Sequence, residues 1–160
     1  FVRGALAQAQ AAGAVTVLLT CAAPPPDVAA LAAILIHVPV GPELVTGSTR
    51  LKAGTATKLV LNTLTTGAMI RLGKTYGNLM VDLQAKNDKL RDRSERILIE
   101  VAGVGRAAAR DALDAAGGSV RTAIVMLHLD TDRATAESEL VRVDNRLRLL
   151  IGEPPGAEAP

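Results

Sequence analysis

Apolar residues in the first half of the chain occur in continuous runs, which predict strands buried on both faces of a parallel sheet. Two such runs are residues 14–20 and 34–38. An alanine-rich segment at residues 2–12 predicts a helix before the first run. A short helix, 28–33 with Asp27 as its cap, is predicted between the two runs. Helices and strands that alternate at this spacing predict βαβ units and an α/β fold.

A loop rich in glycine and hydroxyl groups, residues 41–50, follows the second predicted strand. Leucine and alanine at near-helical spacing then predict a long helix at about residues 50–72. Ser48 or Thr49 is the expected cap of this helix, and Gly73 is the expected residue just past its end.

From Asn87 the pattern changes to charged amphipathic segments joined by short loops, which predicts a small helical bundle. The predicted helices cover residues 87–102, 106–116, 120–129 and 135–150. The chain ends in a Gly/Pro-rich tail from residue 152, which is expected to be disordered.

Composition narrows the class of protein. The 160 residues are 49% hydrophobic and 21% charged, which is typical of a globular chain and not of a disordered one. Aromatic residues make up only 1%, so a stacking platform for nucleic acid is not expected. A single cysteine, Cys21, excludes an intramolecular disulfide, and His37 and His128 show no partner ligands in sequence. We therefore expect no metal, no other cofactor, no nucleic acid and, with no long apolar run, no membrane span.

Charge is unevenly distributed. Residues 1–86 carry seven basic and three acidic side chains, and the acids are Asp27, Glu43 and Asp82. Only Glu43 lies on the glycine-rich loop, so the first half has few carboxylates for acid–base chemistry. The first turn of the helix after the loop is expected to leave N–H groups unpaired and to suit an anion or a polar sugar. The alternative is that Ser48 only caps the helix and the basic side chains are simply solvated.

The region from Val40 to Leu83 resembles the N-acetylmuramic acid 6-phosphate etherases. The motif is Gly41-Pro42-Glu43, then Thr46-Gly47-Ser48-Thr49-Arg50-Leu51-Lys52, then Lys58. Glucokinase regulatory proteins share much of it. The resemblance implies three regions: the C-terminal half of a parallel-sheet sugar isomerase (SIS) domain at 1–86, a small helical bundle similar to ubiquitin-associated (UBA) domains at 87–151, and a disordered tail at 152–160.

The function that this resemblance implies is a cytoplasmic lyase of cell-wall amino-sugar recycling. Etherases of this family cleave the D-lactyl ether of N-acetylmuramic acid 6-phosphate, by elimination and then addition of water, to N-acetylglucosamine 6-phosphate and D-lactate. The two glutamates to which the family assigns acid–base roles would lie upstream of Phe1. We therefore expect a fragment that is inactive alone, with no assignable catalytic residue, and a homodimer for the full-length protein.

The resemblance also selects substrate-binding candidates: Glu43, Ser48, Thr49, Arg50 and Lys52. The hydroxyl groups of Ser48 and Thr49 are expected to contact the sugar or its phosphate. Arg50 and Lys52 would bind substrate, or brace the loop or a subunit interface. Glu43 would orient the ring-opened sugar or assist proton transfer, or it would only bond backbone groups of its own turn.

The other function considered is a non-catalytic phosphosugar-binding regulator of the glucokinase-regulator type. Those proteins are longer and have a second SIS domain before their helical cap. Here the helical segment directly follows the candidate site region, which favours the etherase.

Overall fold

The computed structural model describes residues 1–154, which form two compact units, Phe1–Thr65 and Thr66 onward. Helices and strands follow one another along the chain, so it is a mixed α/β chain with a small parallel sheet, as the sequence predicts. The elements in chain order are α1 Val2–Ala11, β1 Val17–Thr20, α2 Pro26–Ala29, β2 Ile34–His37, α3 Lys52–Arg71, β3 Thr75–Tyr76, β4 Leu79–Met80, α4 Asp88–Ala102, α5 Arg106–Ala115, α6 Val120–Leu129, α7 Arg133–Arg142 and α8 Arg148–Ile151.

The sheet of the first unit pairs β1 with β2 in parallel, from Val17 opposite Ile34 to Thr20 opposite His37. Leu18 is buried, whereas Val17 and Ile34 are 48% and 50% exposed. Alternate side chains of a strand point to opposite faces, and only one face of β1 is well covered. The prediction that the apolar run is buried on both faces is therefore wrong within this unit.

The short helix α2 starts earlier than the sequence predicts. Pro25 is its N-cap and Pro26 its first residue, because the fixed φ of proline suits the first helical turn. Asp27 lies inside that turn and pairs with Arg3 at 2.5 Å. The expectation that Asp27 caps this helix is wrong.

The second unit has an aliphatic core formed by α4–α7 together with the β3–β4 hairpin and the segment after it. Fully buried side chains include Leu98, Leu113 and Ile124 from the helices, and Val81 from the segment after the hairpin. Helices occur where the sequence predicts a bundle. The boundary predicted between residues 86 and 87 stays a prediction.

The last predicted helix, 135–150, is wrong as a single element: the structure has α7 and α8 with a break between them. Asp144 and Asn145 have φ of 54° and 59° there. Aspartate and asparagine adopt this left-handed conformation more readily than other side chains, because their short polar groups bond locally. The Asn145 N–H donates to the Leu140 carbonyl at 2.8 Å and closes the end of α7.

Gly73 follows the end of α3, as predicted, and has φ of 68°. The Gly73 and Lys74 N–H groups donate to the Ile70 and Met69 carbonyls, each at 3.0 Å, and complete the helix end. A Cβ atom at Gly73 would lie 2.7 Å from the Asn145 carbonyl oxygen. Glycine is therefore required there by both conformation and packing.

Part of the tail is described. The Tyr76 hydroxyl donates to the Gly152 carbonyl at 3.2 Å. Residues 155–160, the rest of the tail predicted to be disordered, lie outside the described residues. Within residues 1–154 no helix has the length and apolar character to cross a membrane.

Candidate functional site

The candidate site is the loop between β2 and α3, in the first unit. Because β1 and β2 are parallel, their carboxyl ends lie at the same edge of the sheet. The Cys21 sulfur, just past β1, lies 3.6 Å from the carbonyl oxygen of Ala53 in the first turn of α3. The start of α3 therefore lies at the sheet edge where α/β proteins bind ligands.

Glu43 is fixed by the first turn of α3. The Lys52 N–H donates to its Oε2 at 2.9 Å, and the Ala53 N–H donates to its Oε1 at 3.0 Å. The Ala53 and Lys52 N–H bonds, in that order, lower the pKa of Glu43, and the Lys52 ammonium group acts in the same direction. The carboxylate is thus ionised at neutral pH and caps the helix.

The expectation that the start of α3 is open to an anion is wrong. Besides the two groups bound by Glu43, the Gly54 N–H donates to the Thr49 carbonyl at 2.8 Å, and the Thr55 N–H donates to the Leu51 carbonyl at 3.0 Å. The anion at the positive end of this helix is the Glu43 carboxylate itself.

The expectation that Ser48 or Thr49 caps this helix is wrong for the same reason. Within residues 1–154 neither hydroxyl group forms a hydrogen bond, and the capping bonds come from Glu43, nine residues before Lys52. Local spacing cannot show this, because caps usually lie within three residues of the N–H groups that they bind.

Four polar side chains, three on the loop and one on the first residue of α3, are left available. Ser48 is half-buried, and Thr49, Arg50 and Lys52 are exposed. No carboxylate within residues 1–154 forms an ion pair with Arg50 or Lys52. Two hydroxyl groups and two cations within five consecutive residues suit a ligand with both hydroxyl and phosphate groups.

Glu43 is poorly suited to general acid–base catalysis. General acid–base catalysis works best with a group whose pKa lies near the working pH. Glu43 has a lowered pKa, and both of its oxygens are engaged by backbone N–H groups. Within residues 1–154 no three His, Cys, Asp or Glu side chains are grouped as metal ligands. The arrangement therefore binds and orients better than it transfers protons.

The sequence places Cys21 at the C-terminal end of the first predicted strand, near where ligands bind, and predicts a small buried residue there; the structure shows it half-buried. Its sulfur lies 3.7 Å from the Thr57 hydroxyl as well as close to Ala53, so it packs against the first turns of α3. The position of Cys21 just past the end of β1 indicates this, because the carboxyl ends of parallel strands lie at one edge of the sheet. Its half-buried position and weak hydrogen bonds fit a packing role.

No protein-family model matches the chain. It is 49% identical over 154 residues to a protein of Rhodopirellula baltica, which is 96% of this chain and 51% of that protein. It is 52% identical over 140 residues to a protein of Gloeobacter violaceus, covering 88% and 45%. It is 47% identical over 152 residues to a protein of Mycolicibacterium smegmatis, covering 95% and 51%. Each is named N-acetylmuramic acid 6-phosphate etherase, and the chain spans about half of their length, the C-terminal half.

Proposed function

We propose that this chain, a homologue of the C-terminal half of the N-acetylmuramic acid 6-phosphate etherases, supplies the phosphosugar-binding loop of such an enzyme. The observation that carries the proposal is the identity of about half of all residues to three proteins of that name, over 88% to 96% of the chain. The reaction would be cleavage of the D-lactyl ether of N-acetylmuramic acid 6-phosphate, by elimination and then addition of water.

Glu43 holds the loop in this proposal and does not take the proton. Its carboxylate links the turn after β2 to the first turn of α3 through two backbone hydrogen bonds. The loop between these points carries Ser48, Thr49 and Arg50. A fixed loop presents their side chains to the ligand with less loss of conformational entropy on binding. The lowered pKa of Glu43 favours this positioning role over proton transfer.

The acid and the base of the elimination are assigned to the half of the etherases that this chain does not span. Removal of a proton next to a carbonyl and departure of lactate require at least two positioned groups. Of the carboxylates in residues 1–86, Asp27 pairs with Arg3 and Asp82 pairs with Lys74 and Arg121. Neither lies on the loop, and this distribution supports a site completed by other residues.

The fold proposed for residues 1–86 is the C-terminal part of an SIS domain, with a UBA-like bundle at 87–151. The helix α3 supports a larger α/β domain. It has no buried residue, and its exposed leucines lie on two opposite sides: Leu59 at 61%, and Leu61 and Leu64 at 49% each. A helix that is apolar on opposite sides is typical of a domain interior. The further parts of the proposal are a homodimer and a cytoplasmic location.

The test is D-lactate release from N-acetylmuramic acid 6-phosphate by the 160-residue chain and by a chimera that joins it to the remaining half of the Rhodopirellula relative. We expect no release from the chain alone and release from the chimera. Turnover by the chain alone would show that its own residues supply the acid and base. A folded chimera without activity would contradict the proposed function.

Variants of the active chimera test the loop. Ser48→Ala should raise KM because a ligand hydroxyl or phosphate contact is lost, whereas Ser138→Ala, at an exposed position of α7, should leave KM unchanged. Arg50→Gln should raise KM more than kcat falls, since it removes a binding charge. Equal KM values for the Ser48 and Ser138 variants would remove Ser48 from the site. No observation favours the non-catalytic regulator, and the etherase names of the relatives do not support it.

A further inference from the structure

A cleft in the second unit lies where the end of α3 meets the segment that leads into α8. Its volume is about 260 Å³, and its lining includes Ile70, Gly73 and Thr75 on one side and residues 146–149 on the other. A second depression of about 310 Å³, lined by Ile70, Arg71 and Arg146, shares two of these residues. The two hollows are therefore neighbours on the same surface, with Ile70 and Arg146 in the lining of both.

Three arginines border this double hollow: Arg71, Arg146 and Arg148. Arg146 lies 3.4 Å from the Asp144 carboxylate, and Arg148 lies 3.4 Å from that of Glu153. Arg71 forms no ion pair within residues 1–154. Exposed ion pairs contribute at most about 1 kcal/mol, and these two are at the long end of the range. The guanidinium groups are therefore available to a stronger partner.

Most other arginines of the second unit are bound more closely to carboxylates, although Arg93 of α4 forms no ion pair within residues 1–154. Arg142 lies 2.6 Å from the Glu139 carboxylate, and Arg121 lies 2.7 Å from that of Asp82. The buried Glu95 binds Arg110 at 3.0 Å. Weak pairing therefore separates the three arginines around the hollow from most arginines of this unit, and what is particular to them is their place beside one hollow.

These arginines are not needed to complete the helix next to them. The last carbonyls of α3 accept bonds from the N–H groups of Leu72, Gly73 and Lys74, at 2.9 to 3.0 Å. The Gly73 carbonyl accepts a long bond of 3.4 Å from Arg121, which is not one of the three. No side-chain hydrogen bond within residues 1–154 uses Arg71.

The three arginines have only two carboxylate partners, Asp144 and Glu153, so the hollow has an excess of positive charge. Concave surfaces with low-dielectric walls focus the field of such charges. Two guanidinium groups beside one hollow repel each other, and an anion between them relieves this. Guanidinium forks match the oxygens of phosphate in pairs, which favours phosphate over monovalent ions.

We propose that this hollow binds a small phosphate monoester. Arg71 and Arg146 hold the phosphate, with Arg148 at its rim, and Ile70 and Thr75 contact the organic part. The volume of about 260 Å³ is at the lower end for ligand pockets, so the organic part has only a few carbon atoms. The proposal uses none of the residues of the Glu43 loop and does not depend on etherase activity.

The test is isothermal titration of the full 160-residue chain, at constant ionic strength, with glycerol 3-phosphate and with inorganic phosphate. We expect saturable binding of both, with the ester bound more tightly because only it contacts Ile70 and Thr75. The double variant R71Q/R146Q should weaken binding by at least about tenfold, since two charge-assisted contacts are lost. The matched control R93Q removes a charge from an exposed arginine of α4 and should change binding less than about twofold.

Equal weakening by R93Q would overturn the proposal, because the effect would then be one of net charge. Absence of saturable binding to the unsubstituted chain would also overturn it. The intrinsic fluorescence of Tyr76, the one tyrosine in a chain without tryptophan, reports whether each variant is folded. If the double variant unfolds, the single variants R71Q and R146Q replace it, each expected to weaken binding by about threefold, and no weakening in either refutes the assignment.

Discussion

Replacement of Gly73 by alanine tests how α3 is joined to the segment between α7 and α8. The new methyl group would lie 2.7 Å from the Asn145 carbonyl oxygen and 3.1 Å from its carbonyl carbon. Both are backbone atoms, so the neighbour cannot move away by a side-chain rotation. Asn145 is itself held in a left-handed conformation, with φ of 59°. Relief of the contact therefore requires a shift of the chain break before α8.

Gly103 provides a matched control. It also ends a helix, with φ of 67°, and nothing lies within 4 Å of a Cβ atom placed there. Gly103→Ala introduces only the strain of the left-handed backbone conformation, which lowers the free energy of unfolding by about 1–2 kcal/mol. Gly73→Ala introduces the same strain, and the close contact with Asn145 adds an overpacking cost of about 1–3 kcal/mol. We expect the free energy of unfolding to fall by about 2–5 kcal/mol for Gly73→Ala.

Urea unfolding followed by Tyr76 fluorescence measures this difference. Tyr76 is 2% exposed and lies in the hairpin that begins two residues after Gly73, so its signal comes from the second unit. Equal losses of stability in the two variants, within about 0.5 kcal/mol, would refute the reasoning, because the packing against Asn145 would then contribute nothing.

In the folded chain the pKa of Glu43 is lowered from 4.5, so its bonds to Lys52 and Ala53 stabilise above that pH and are lost as pH falls through the folded pKa. E43Q should thus lower the unfolding temperature in circular dichroism at pH 7 and have a smaller effect below pH 4.5; a difference that is the same at both pH values would contradict this role. Leu113→Ala in the core should lower the free energy of unfolding in urea by about 2–5 kcal/mol. Leu149→Ala, at a leucine that is 65% exposed, should change it by less than about 0.5 kcal/mol. Similar losses in the two variants would contradict the placement of the core. The chain alone should sediment as oligomers because of the exposed leucines of α3, and their replacement by glutamine should reduce this; an unsubstituted chain that sediments as a monomer would contradict it.

Much of the fold can be predicted from the sequence, because its signals are local. The apolar runs at 14–20 and 34–38 predict the two strands, and the structure confirms their parallel pairing, although β1 and β2 are shorter than the runs. Gly73 marks the end of α3, since only glycine adopts the required φ without strain. The motif from Gly41 to Lys52 also indicates a resemblance to the etherases, and the relatives to which the chain is about 50% identical carry that name.

The candidate site was identified only in part. The sequence singles out Glu43, and one of its predicted roles is to bond backbone groups of its own turn; in the structure it bonds the first turn of α3 instead. The particular partners, Lys52 and Ala53, depend on how the loop folds back over nine and ten residues. Proximity of that kind has no local signal, so the sequence could not show that the start of α3 is already occupied.

Sequence alone thus determined the order of the elements from α1 to α3 and the resemblance to the etherases, because periodicity, turn residues and motifs act between near neighbours. The tertiary structure decided which polar groups are already hydrogen-bonded and which are left for a ligand. It brings Glu43 to the start of α3, breaks the last predicted helix at Asp144, and gathers Arg71 and Arg146 beside one hollow. The physical reason is that hydrogen bonding, burial and charge depend on which distant segments meet, and only the folded chain brings those segments together.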